Sequence, residues 1–328
     1  MRSLRLSALP GLTLACVVGL TGCIIDIGSL TAVKPLTETV VYGESGPKIL
    51  MLEFEGLLTE SPGRSPFGDR PSLVAHTQEV LDRAAEQDDI AALLLRIRSP
   101  GGTVSASETL HHMILEWKKE TGKPVVVHMQ GLAASGGYYI SMTADHVVAE
   151  PTTITGSIGV VMMGLNVAAL MEKIGIQNQT FASGDFKDTG SPFRAMRDDE
   201  RALMQGVIDD LQTRFLEVVD AGRPNLEASE VHRLADGRIY TARQALEVGL
   251  IDQIGFIGET VEVVEQRAGI QESRVVTYHR PNQYQNNLYS RGDLPPIQVV
   301  DVDLIDLANG LLPPGFYFIW PPALGGLQ

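Results

Sequence analysis

Along the chain, short continuous apolar runs alternate with segments whose apolar residues recur every three or four positions. Residues 49–54 (ILMLEF), 90–97 (IAALLLRI) and 124–129 (PVVVHM) have strand length and are rich in aliphatic side chains, the pattern of strands buried on both faces. Residues 146–149 add a shorter run. Between them, Leu73, Val74, Val80, Leu81, Ala84 and Ala85 recur at helical spacing from Ser72 to Glu86, and Leu110, Ile114 and Trp117 share one face of a predicted helix over 105–121. Strands alternating with helices predict a layered α/β domain that begins near Lys48. Residues 198–221 place Leu203, Val207, Leu211, Phe215 and Val218 on one stripe of a long helix. Such a stripe packs within the chain or against another subunit.

The flanks read differently. Arg2 and Arg5 precede a largely apolar stretch over 6–20 that ends in Leu20-Thr21-Gly22-Cys23. This is a targeting segment, too short and badly flanked for a stable spanning helix. It resembles a bacterial lipoprotein signal, which implies cleavage before Cys23 and a lipid on that cysteine; an ordinary secretory signal with an incidental Cys23 is the other reading. Cys16, the only other cysteine, falls inside the removed part, so the mature chain has no disulfide. Residues 26–46 carry Gly, Ser, Thr and Pro with few large residues in periodic order and read as a tether. Residues 60–71, with three prolines and two glycines, read as a loop. The net charge of −14 lacks the basic surface that a nucleic-acid partner requires.

Candidate chemistry gathers in four small-residue stretches. Within residues 130–140 (QGLAASGGYYI), a loop of small residues delivers Ser135 to the first turn of a helix. There the unpaired N–H groups and the positive dipole end tolerate negative charge on oxygen, which favours a nucleophile; a plain N-cap serine fits the same pattern. Ser99-Pro100-Gly101-Gly102 can bring backbone N–H groups close to an oxyanion, or be only a turn. Thr155-Gly156-Ser157-Ile158-Gly159-Val160 is an apolar segment punctuated by glycine, and Ser183-Gly184-Asp185-Phe186-Lys187-Asp188 lies in a polar loop with Ser191-Pro192. Lys187 alone reads as a solvated surface charge. Histidine is the competing base: His128 lies on the strand before Ser135 as a core or sheet-face residue, His146 opens the next strand, and His111 and His112 face different ways on a helix. No metal-ligand spacing such as HExxH occurs, and no cofactor is implied.

Taken together, SPGG at 99–102, AASGGYY at 133–139, TGSIGV at 155–160 and SGDFKD at 183–188 resemble the signal peptide peptidase A family, the S49 serine peptidases, in its short single-repeat form. The resemblance spans about residues 48–278. It implies a ClpP/crotonase-like spiral of ββα units, with Ser135 as nucleophile, Lys187 as general base and Ser157 holding that lysine. It also implies an oxyanion hole from Gly102, Gly136 and possible help from Gly101, apolar extended peptides such as signal-peptide remnants as substrates, and a homo-oligomeric ring in which neighbouring subunits complete each site. Arg98 stands where many relatives have asparagine, a change that removes no catalytic group. The expected plan is a signal peptide at 1–22, a lipid-anchored tether at 23–47, a peptidase domain at 48–280 and a Pro-rich aromatic tail at 281–328. The expected place is the extracytoplasmic side of a membrane; Ile24 after Cys23 leaves the outer membrane open.

A serine-lysine pair sets one physical demand. A free lysine titrates near 10.4 and a base at neutral pH needs about 7 to 8, a lowering of roughly 3, equivalent to about 4 kcal/mol. Burial supplies most of it, with Ser157 bonding to the amine without adding charge. Two other readings stand beside the peptidase: a catalytically silent peptide-binding scaffold, and a crotonase-like acyl-CoA enzyme that shares the oxyanion geometry. The aromatic tail, broken by Pro313, Pro314, Pro321 and Pro322, is no membrane span; it lies on a membrane surface, occupies the substrate groove or packs on a neighbouring subunit, the last being favoured.

Overall fold

The computed structural model describes residues 35–61, 71–280, 287–289 and 315–322. The expected signal, Cys23 and most of the 60–71 loop lie outside the described residues. Each apolar run forms a strand: β2 (Lys48–Glu55), β3 (Ile90–Ser99), β5 (Val125–Ala134) and β6 (His146–Ala149) lie side by side and parallel. The crossovers are α1 (Leu73–Ala85) between β2 and β3, and α2 (Val104–Thr121) between β3 and β5. Ser72 caps α1 by accepting from the Ala75 amide at 3.2 Å, and Thr103 caps α2 by accepting from the Ala106 amide at 3.1 Å. Gly122 ends α2 in the left-handed conformation that a side chain disfavours.

Alternate residues of each strand face opposite layers. Leu50, Leu52, Leu93, Leu95, Val125 and Val127 join the core formed with α1, α2 and the C-terminal half of the long helix α5 (Asp198–Gly222). Ile49, Met51, Leu94 and Val126 pack on the other face against Ile257, Val261 and Val264 of α8 (Ile257–Ala268). The sheet runs β1 (Thr37–Tyr42), β11 (Arg274–His279), β2, β3, β5, β6 and β10 (Gln253–Ile254), with β7 (Ile154–Gly156) on the far part of β5 and β9 (Ile239–Thr241) on β7. A smaller sheet orders β4 (Gly101–Thr103), β12 (Gly315–Ile319) and β8 (Val161–Met163).

Two expectations of the sequence pattern change. The segment read as a tether contains a strand, β1 (Thr37–Tyr42), antiparallel to β11 (Arg274–His279). Its local signal is weak, with Val40 exposed and Val41 buried, because its hydrogen-bond partners come from far along the chain. Part of the C-terminal tail, β12, is built into the smaller sheet of its own chain. On α5 the expected stripe divides: Phe215 and Val218 are buried within the chain, whereas Leu203 is exposed. Among the described residues no helix is long and apolar enough to cross a membrane.

Candidate active site

Strand register brings three of the four motifs together. Ser99 on β3 pairs with Ala133 on β5, and Ala134 pairs with Gly156 on β7, all parallel. The motifs that follow these residues therefore leave the carboxyl ends of adjacent parallel strands, the edge where α/β sheets bind ligands. Ser135 and Ser157 each come one residue after a paired position. Both adopt a left-handed backbone, with φ of 53° and 50°, and among the described residues they are the non-glycine residues with positive φ. Such a conformation costs on the order of 1 kcal/mol or more and persists only where its surroundings enforce it. For Ser135 those surroundings are the Gly156 carbonyl, which accepts its N–H at 2.8 Å, and the Tyr139 N–H, which donates to its carbonyl at 2.8 Å. For Ser157 the N–H donates to Arg238 O at 2.8 Å.

Ser135 sits before α3 (Gly136–Ser141), yet its side chain makes no capping hydrogen bond. A capping serine takes an extended backbone to reach the second or third amide, and a φ of 53° is outside that geometry. The N-cap reading gives way to another: Oγ is fully buried and has no hydrogen-bond partner. Buried hydroxyls are normally satisfied, so an orphan at a strained position is a candidate for a catalytic role.

The glycines of the two flanking loops allow the backbones to meet there. A Cβ on Gly101, whose φ is +101°, would lie 2.7 Å from the Gly136 nitrogen, and one on Gly102 would lie 1.9 Å from the Leu58 carbonyl oxygen. A Cβ on Gly136 would lie 2.5 Å from Ser107 Oγ. The Gly101 N–H already donates to Ser99 Oγ at 3.0 Å, leaving Gly102 and Gly136 as the candidate oxyanion donors. Arg98, at the end of β3, turns its guanidinium to Glu55 on β2, donating at 3.2 Å.

Lys187 is elsewhere in character. It lies exposed on the loop before α5, with its N–H donating to Gly184 O at 3.1 Å, and since Ser135 Oγ has no partner, the single chain forms no bond between the two side chains. A charge cluster that the sequence did not signal holds the loop. Arg194 pairs with Asp188 at 2.7 Å and also with the buried carboxylate of Glu200 in the first turn of α5. The hydrogen bonds from Arg194 hold Glu200 down to about 2 and keep Asp188 below its usual range. Arg197 donates to the Asp185 carbonyl and pairs with Glu200 at 3.2 Å.

The histidines take other work. His128 is buried, with Nδ1 2.8 Å from Thr260 Oγ1 of α8, and burial pushes it down to about 3. His111 is buried edge-on against the Tyr139 ring and is pushed down by burial to about 4, while His112 is exposed. His146 Nδ1 lies 3.2 Å from Arg267. Among the described residues, no group of three or more His, Cys, Asp or Glu side chains is arranged to hold a metal ion.

The sequence profile of Peptidase family S49 matches residues 117–271. A protein of Enterococcus faecium that carries the provisional name signal peptide peptidase SppA is 34% identical over 74% of this chain and 70% of its own length. A provisionally named protease of Methanocaldococcus jannaschii is 39% identical over 61% of this chain, and the match spans 63% of that relative. Protease 4 of Haemophilus influenzae is 32% identical over 71% of this chain but only 41% of its own length. The mostly parallel sheet, helices on both faces and motifs at adjacent strand ends are the ClpP/crotonase-like α/β architecture. With a relative matched at that identity over more than two thirds of its length, and the profile lying across the Ser135 and Lys187 stretches, this chain belongs to the S49 peptidases.

Proposed function

We propose that this protein is an envelope-anchored serine endopeptidase with a Ser135–Lys187 dyad, acting on apolar extended peptides such as signal-peptide remnants. The observation that carries the reading is the buried, unpartnered Ser135 Oγ on a strained backbone beside Gly101 and Gly136. Neutral Lys187 takes the proton of Ser135 as Oγ attacks the peptide carbonyl. The Gly102 and Gly136 N–H groups receive the negative charge that develops on the carbonyl oxygen. Protonated Lys187 then passes its proton to the leaving amine, and water hydrolyses the acyl-enzyme. Ser157, one residue beyond the end of β7, orients the amine.

Because Lys187 is exposed on its own chain, the dyad forms between neighbouring subunits of a homo-oligomer. Burial at that boundary supplies the desolvation that a lysine base requires. The anchor is a lipid on Cys23, on the extracytoplasmic side of a membrane.

The test uses the full chain in detergent, an apolar signal-peptide sequence and a fluorophosphonate probe, with Ser135→Ala and Lys187→Ala beside the parent. Cleavage and labelling are expected in the parent and absent from both variants. Equal cleavage by all three proteins, or an assembled parent that neither labels nor cleaves, would overturn the proposal.

A further inference from the structure

A cavity of about 660 Å³ lies at the end of the sheet remote from Ser135, a volume in the range of small-molecule sites. Its lining includes Asp145 and Asp252, which immediately precede β6 and β10. It therefore opens at the amino ends of the parallel strands, whereas Ser135 follows the carboxyl end of β5. Met142, just beyond α3, and Gly222, the last residue of α5, pack together in its wall: a Cβ on Gly222 would lie 2.7 Å from Met142 Cβ.

Cations line this cavity, and their pairing is uneven. Asp145 accepts from the Val125 N–H at 2.9 Å and pairs with Lys118 at 2.8 Å. Asp252 accepts from the Val147 N–H at 2.7 Å and pairs with Arg223 at 2.9 Å. Each aspartate thus ties the start of a neighbouring strand and neutralises one cation. Arg214 is taken up by Glu108 at 2.8 Å and Glu217 at 3.2 Å. Two arginines keep donors to spare. Arg267 of α8 has no carboxylate partner among the described residues, and its guanidinium lies 3.2 Å from His146 Nδ1. Arg223, only 7% exposed, uses Nη1 on Asp252, and its buried Nε has no hydrogen-bond partner.

A buried guanidinium N–H without an acceptor costs free energy, so Arg223 calls for an acceptor from outside the chain. In a protein of net charge −14, two arginines with spare donors on one cavity are a specific feature. Guanidinium forks match carboxylate and phosphate oxygens. The two arginines come from separate elements, one directly after α5 and the other on α8. A tetrahedral phosphate offers oxygens to both, whereas one fork takes up the two oxygens of a carboxylate. Leu115, Met142 and Val218 add an apolar part to the same lining, which suits an organic body beside the phosphate rather than a bare ion.

We propose that this cavity binds the phosphate group of an organic phosphate, with Arg223 and Arg267 as donors and Leu115, Met142 and Val218 against the organic part. The phosphate belongs either to a soluble ester or to a lipid headgroup. The site includes none of the candidate catalytic residues and stands apart from the peptidase reading.

The experiment uses the full chain in dodecyl maltoside at constant ionic strength. Calorimetric titrations with glycerol phosphate, and with phosphatidic acid in mixed micelles, are compared with glycerol and diacylglycerol as the unphosphorylated controls. The parent should show one saturable site per chain for a phosphate and none for the controls; whichever phosphate binds more tightly identifies the source. Arg267→Glu and Arg223→Gln should each weaken binding about tenfold or more, the loss expected for a hydrogen bond to a charged group. Arg243→Glu, which removes a surface arginine paired with Glu247, should leave it unchanged. Arg267 is exposed, so its variant tests the site even where the buried Arg223→Gln fails to fold. No saturable binding of either phosphate, or binding that Arg267→Glu leaves intact, would sink the proposal. Fluorophosphonate labelling of Ser135 in the same samples reports on the peptidase reading separately.

Discussion

The surroundings of the two candidate residues Ser135 and Lys187 are built on opposite principles. Ser135, Ser157 and the paired glycines stand at the ends of β3, β5 and β7, buried and locked by parallel-strand register, with two residues forced into positive φ. Lys187 stands on an exposed loop whose shape depends on one arginine between two carboxylates. A sheet end tolerates strain because the surrounding ladder cannot relax without breaking several hydrogen bonds together. The difference teaches that strand register fixes the surroundings of Ser135 within one chain, whereas ion pairs hold Lys187 at the surface.

The largest effect that could break this comparison comes from mixing inactive proteins. Ser135→Ala and Lys187→Ala chains unfolded together and reassembled should recover about a quarter of parental activity if each site draws its serine and lysine from different subunits. No recovery in verified mixed assemblies would place both groups on one chain.

Next in size is Gly101→Ala. The new Cβ meets the Phe318 carbonyl oxygen at 1.9 Å and the Gly136 nitrogen at 2.7 Å on a backbone of φ +101°, so urea denaturation should show a loss of about 2 to 3 kcal/mol. A neutral result would mean that the serine half is softer than described. On the other half, Arg194→Ala should leave the strand ends untouched but free Asp188 and leave the buried Glu200 carboxylate to Arg197 alone. Peptidase activity should fall about tenfold through misplaced Lys187, while fluorescence of the core changes little.

The smallest effect is a pH dependence. Burial holds His111 and His128 neutral, down to about 4 and about 3, whereas in the unfolded chain they bind protons near 6.5. The unfolded state then carries more protons below that value, so stability falls as pH drops from about 6.5 toward 4. The urea midpoint at pH 5 should lie below that at pH 7, and His111→Gln should reduce the difference. Glu200 adds the same sign lower down. Its carboxylate, held to about 2 by Arg194, stabilises above the ordinary glutamate range, and that contribution is lost as pH falls through about 4.5 to 2.

Much of this was legible in one dimension. The runs that form β2, β3, β5 and β6 announced themselves because strands buried on both faces have to be apolar throughout, and Ser72, Thr103 and Gly122 marked helix ends through local hydrogen bonding and φ. The four motifs were visible as clusters of small residues. Arg194 and Glu200 were not, since a buried ion pair looks like any two charges six positions apart. The strand β1 was read as a tether because six residues with one buried valine carry almost no periodic signal until β11 supplies their partner.

The sequence by itself determined the strand and helix order, the small residues at the loops and the identity of the candidate groups, because these depend on side-chain volume, polarity and local backbone freedom. Only the tertiary structure decided that Ser135 caps nothing, that its hydroxyl is buried and unpartnered, that Lys187 stays at the surface, and that Phe318 lies between the strands flanking the serine. Each of these rests on which strand ends lie side by side, and register is a long-range property that a chain acquires only when its sheet closes.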